Sequence, residues 1–133
     1  MERSAQPTSL ADFEALARVA FARLPAPFRA VCRDLAIRVE DFPDAEICAD
    51  MRLDSPYDLL GLYHGVDVMR RSAFDVRQDI DRIYLYREPI LAFARRSRDS
   101  LEEIVAHVLV HEIGHHFGFS DEDMERIEAS EEF

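Results

Sequence analysis

The five residues HEIGH at 111–115 constrain this chain more than any other stretch in it. On an α-helix, positions four apart stand one turn apart on the same face, so the imidazoles of His111 and His115 converge on one point only if the segment is helical. Converging imidazoles make a two-toothed chelate for a cation. Glu112 projects about 100° around the helix from His111, which sets its carboxylate beside a cation held there rather than on it. A base beside activated water is what hydrolysis needs.

The flanking residues agree with a helix. Ser100 and Glu103 have the spacing of a capping box, and Leu101, Ile104, Val105, Val108, Leu109 and Ile113 supply enough apolar surface to bury most of the segment. Gly118 follows His115 by three positions, and a residue without Cβ can take the left-handed conformation that ends a helix and turns the chain back. Asp121 lies three residues further on, where its carboxylate would face the two histidines from a new direction. Catalytic zinc usually takes three protein ligands and leaves one position to water, so His111, His115 and Asp121 are the expected metal ligands. Glu122 and Glu125 are the other carboxylates within reach.

The extended pattern H-E-x-x-H-x-x-G-x-x-D, in VLVHEIGHHFGFSDEDM, resembles that of zincin metallopeptidases of the metzincin kind, with Asp where a third His is more usual. More narrowly, with the LLGLYHG segment and the short chain, it resembles the small bacterial "minimal metalloprotease" family of zincin-like proteins. The resemblance covers the chain from about Leu35 onward. It implies an α+β zincin-like fold, in which a small mixed sheet packs against helices and one helix carries HExxH. It further implies one zinc ion per chain on His111, His115 and Asp121, Glu112 as general base, and a peptide as substrate, while a length of 133 residues leaves room for a single domain over residues 1–133. Larger metzincins have a methionine turn well downstream of the third ligand. Met124 is too close to Asp121 to serve, so a full lower subdomain is not expected.

The rest of the chain is consistent with a small core. SLADFEALARVAFARL at 9–24 has apolar residues at helical spacing, with Ser9 as N-cap and Pro25 and Pro27 beyond its end; this helix is expected to cover a sheet. DLAIRVEDF at 34–42 alternates Leu35, Ile37 and Val39 against Ala36, Arg38 and Glu40, as a strand with one buried face does. The acidic stretch to Pro56 reads as a solvated loop, since Asp44, Glu46, Asp50 and Asp54 lack the spacing of a calcium loop. DLLGLYHGV at 58–66 reads as a buried strand or turn, Gly61 and Gly65 permitting close backbone approach or a bulge. Residues 67–79 read as a loop or edge. DRIYLYR at 81–87 is a second strand, taken by the resemblance as the edge strand that pairs with extended substrate. A short helix follows from Glu88 to Arg96, with Pro89 in its first turn. A short acidic helix is expected after Asp121.

Three further histidines need placing. His107 extends the 111/115 stripe by one turn, but the rise to His115 is about 12 Å, so all three cannot share one ion. Its expected role is packing or support, with alternative ligation alongside His111 left open. His64 reads as a surface or hydrogen-bonded histidine, with a place facing the metal cleft as the alternative. His116 points off the ligand face, either to solvent or to a nearby carboxylate. His64, Tyr63, Tyr84 and Tyr86 are all open as donors to a developing oxyanion.

A net charge of −11 disfavours nucleic acid, whose phosphates attract basic surfaces. No apolar run approaches a membrane span, and the opening residues lack the pattern of a signal peptide, so a cytoplasmic location is expected. Cys32 and Cys48 sit in no C-x-x-C motif and read as buried or half-buried thiols. Zinc suits the imidazole and carboxylate donors, although iron, cobalt or nickel can take the same set. A second reading, from a different class, is a metal-binding or interaction module that keeps the site without useful turnover.

Overall fold

The computed structural model describes residues 9–24, 26–32, 35–65, 81–118, 120 and 122. Helix α1 (Leu10–Ala22) begins at a full capping box, with Ser9 Oγ accepting from the Asp12 amide at 3.0 Å and Asp12 Oδ2 accepting from the Ser9 amide at 3.1 Å. It ends at Ala22, before the prolines. A short helix, α2 (Ala26–Val31), follows, and the Arg29 guanidinium donates back to the Leu24 carbonyl. Strand β1 (Ala36–Glu40) confirms the alternating stretch.

The acidic stretch after Pro43 is not wholly loop. Helix α3 (Ala45–Asp50) occupies its centre, started by Asp44, whose carboxylate accepts from the Ile47 amide at 2.8 Å. A cap satisfying an otherwise orphan amide outweighed the acidic composition. A 3-10 turn at Pro56–Asp58 leads into β2 (Gly61–His64). After residues 66–80, which lie outside the description and include the expected loop at 67–79, come β3 (Arg82–Tyr86), α4 (Arg87–Arg96) and α5 (Leu101–His116).

Among the described residues the strand order is β1-β3-β2, with β1 parallel and β2 antiparallel to β3. Strand β3 is therefore central, which corrects its expected place at the edge. Its Ile83, Leu85 and Tyr86 are fully buried, so both of its faces are covered. Among the described residues the outer strands of the sheet are β1 and β2.

Registers pair Tyr63 with Ile83 and Gly61 with Leu85, so these four residues share one face of the sheet. Helix α5 packs on that face, and α1 packs on α5 and β1. Phe13 and Ala17 of α1, Ile83 and Leu85 of β3, Ile90 of α4, and Val105 and Leu109 of α5 meet in one core. Helix α1 thus covers the sheet in part and braces α5 as well. Cys32 is buried, Cys48 half-buried, and both are free thiols; burial pushes the Cys32 thiol pKa up, away from reactivity. No helix among the described residues is long and apolar enough to cross a membrane.

Candidate active site

Helix α5 carries the site, and both of its ends are fixed by sequence. At the start, Ser100 Oγ accepts from the Glu103 amide at 3.1 Å and Glu103 Oε1 accepts from the Ser100 amide at 2.9 Å. At the finish, Phe117 caps the helix and the Gly118 amide donates to the His115 carbonyl at 2.9 Å, with Gly118 at φ 92°. That left-handed backbone is the sharp turn the motif anticipates. Between the ends, Leu101, Ile104, Val105, Val108, Leu109 and Ile113 are buried, so the helix is held on the side away from its polar stripe.

His111, Glu112 and His115 each present a ligand atom, and these atoms all lie within 4.8 Å of one another. All three side chains are half-buried. The rings of His111 and His115 stand 4.9 Å apart at 78°, as two imidazoles directed from successive turns do. Two imidazoles and a carboxylate this close fit a borderline-soft divalent cation such as zinc. Asp121, the expected third ligand, lies outside the described residues, as does Glu125. Glu122 is exposed.

The other histidines separate clearly. His107 is exposed, its ring 6.4 Å from that of His111 at 27°. His64 is exposed; strand alternation puts it on the sheet face opposite Tyr63 and away from α5. His116 is buried, its Nδ1 3.3 Å from Asp81 Oδ2, so of the two places open to it the carboxylate partner is the one found.

Of the tyrosines open as oxyanion donors, two lie on the sheet face away from α5. Tyr84 and Tyr86 stack on each other, centroids 6.1 Å apart, on the sheet face away from α5. Burial, and then the Glu40 carboxylate, push the Tyr86 phenol pKa well up. The Tyr63 hydroxyl donates to Asp81 at 3.2 Å.

Two residues near the site have partners that the sequence does not disclose. Gly61 is buried where β2 crosses α5: a Cβ there would lie 2.6 Å from Val108 Cγ1, 3.0 Å from the Tyr84 carbonyl oxygen and 3.5 Å from Glu112 Cγ. Its glycine was visible as a point of close approach, but not what it approaches. Asp81 stands just before β3 and reaches His116, thirty-five positions on, which no local pattern signals.

The family model for zincin-like metallopeptidases matches residues 32–131. No curated protein matches the chain.

Proposed function

This chain belongs to the zincin-like metallopeptidase family, and on that premise we propose that it is a zinc-dependent hydrolase of peptide bonds, acting on short or unfolded peptides. The observation that carries the reading is the convergence of His111, Glu112 and His115 within 4.8 Å on a helix capped at its start and buried along its apolar side. His111, His115 and Asp121 would hold the ion. Zinc, when bound, supplies Lewis acidity to the water and the carbonyl that meet there.

Glu112 stands beside the two imidazoles. It takes a proton from the attacking water as that oxygen bonds to the scissile carbonyl carbon, and returns the proton to the amine nitrogen as the C–N bond breaks. An extended peptide is proposed to lie along the outer edge of β2, whose Gly61 brings the strand backbone up to Glu112. Backbone pairing along such an edge binds peptide with little sequence preference.

Metal content of protein purified without chelators or a histidine tag is the first test. About one zinc per chain is expected, weakened in Asp121→Ala. Glu112→Gln should keep the zinc and lose peptide cleavage by about 10²-fold or more; unchanged cleavage would sink the mechanism. Zinc bound tightly without cleavage of any member of a broad peptide pool would favour the binding-module reading instead.

A further inference from the structure

Tyr63, Asp81 and His116 form a polar cluster that proton transfer at Glu112 does not use. Asp81 and His116 are 5% and 3% exposed, and the Asp81 carboxylate receives both the Tyr63 hydroxyl at 3.2 Å and the approach of His116 Nδ1 at 3.3 Å. The Tyr63 and His116 rings meet edge to face at 5.5 Å. Gly65, at φ 153°, closes over the carboxylate so tightly that a Cβ there would lie 2.6 Å from Asp81 Cγ. The Asp81 carbonyl also accepts from the Ala36 amide at 3.0 Å. Asp81 therefore ties β1, β2 and α5 together.

The place of this tie is informative. His116 is in the last turn of α5, next to His115. A terminal turn lacks helix beyond it and is the part of a helix most free to unwind or rotate. Rotation of that turn would carry the His115 ring away from His111. Burying a carboxylate is costly, and apolar side chains of similar volume would hold the turn at less expense, whereas a close polar pair between fixed side chains sets an orientation. We infer that Tyr63, Asp81 and His116 are positioning residues that set how tightly the His111–His115 pair holds its metal. The inference rests on the zinc site proposed above.

The test compares zinc affinity, by competition with a chromophoric chelator, and the visible spectrum of the Co²⁺-loaded protein for wild type, Asp81→Asn and Tyr63→Phe. Metal-free melting curves are recorded for each. Asp81→Asn should bind zinc about 10-fold or more weakly and shift the Co²⁺ bands, with Tyr63→Phe moving both the same way by less. Variants that melt earlier but keep wild-type affinity and Co²⁺ spectrum would show a merely structural cluster and overturn the inference. Should Asp81→Asn fail to fold, Tyr63→Phe decides, since it removes one hydroxyl and keeps the ring. A wild type that binds no zinc overturns the zinc site and this inference with it. A zinc-binding wild type with unaffected variants overturns this inference alone.

Discussion

Replacing Gly61 by alanine tests how β2 is held against the site helix. The new Cβ would lie 2.6 Å from Val108 Cγ1, about 1 Å inside ordinary carbon–carbon contact, and 3.0 Å from the Tyr84 carbonyl oxygen. Neither neighbour yields easily. Val108 is a β-branched residue within a helix, with one strongly preferred χ1, and the carbonyl belongs to the backbone of the central strand. Overpacking of this kind costs about 1–3 kcal/mol. The lost backbone freedom of the unfolded chain returns roughly 0.5 kcal/mol, because Gly61 is not among the glycines at positive φ.

A net loss of about 1–2 kcal/mol corresponds to a melting point roughly 3–10 °C lower, read by circular dichroism or calorimetry. Combining it with Val108→Ala removes the worst contact, so the double variant should be less destabilised than the sum of the singles by about 0.5–2 kcal/mol. A Gly61→Ala protein melting within about 1 °C of wild type, or a strictly additive double variant, would refute the close packing of β2 on α5. Displacing β2 should also weaken peptide cleavage more than zinc binding, since Gly61 approaches Glu112 and not the imidazole pair.

Three other perturbations probe separate parts of the molecule. The Tyr86 hydroxyl is buried and meets no hydrogen-bond partner among the described residues, so Tyr86→Phe should raise stability at pH 7 by about 1 kcal/mol, checked by urea unfolding. Its phenol is raised in the folded state, so above the ordinary tyrosine value the unfolded chain sheds a proton that the native one keeps. Wild-type stability should then fall as pH rises past about 10, by up to about 1.4 kcal/mol per pH unit, and Tyr86→Phe should flatten that slope. Gly118→Ala forces a side chain onto φ 92° and should cost about 1–2 kcal/mol by the same unfolding assay, while loosening the turn that leads to Asp121 and with it zinc binding. Ser100→Ala removes the α5 cap and should cost about 1 kcal/mol in thermal unfolding, leaving zinc affinity at the far end of the helix unchanged.

What the residues disclosed and what they withheld divide along physical lines. The cap at Ser9, the box at Ser100, the left-handed Gly118 and the alternation through Ile37 and Val39 are local effects, set by neighbours within a few positions, and each was legible. The convergence of His111, Glu112 and His115 follows from helical period alone, so the centre of the site was legible too. Helix α3 was hidden because one capping residue, Asp44, outweighed a composition that spoke for loop. The rank of β3 in the sheet is a tertiary fact, although the close run of Ile83, Leu85 and Tyr86 already leans toward a strand covered on both sides. The partner of His116 was out of reach of any local rule, since Asp81 is brought to it only by the packing of α5 on the sheet.

That packing also bears on how the molecule is made. Helix α5 touches α1, α4, β2 and β3, yet it follows all of them in the chain. On a ribosome that releases the chain from its first residue onward, α1 would emerge long before the helix against which its Phe13 and Ala17 are buried. Until residues 101–116 are free, the apolar faces of α1 and the sheet lack their common partner. Helix α5 brings both the last part of the core and the His111–Glu112–His115 group, so the nascent chain closes its interior and gathers that group in one event.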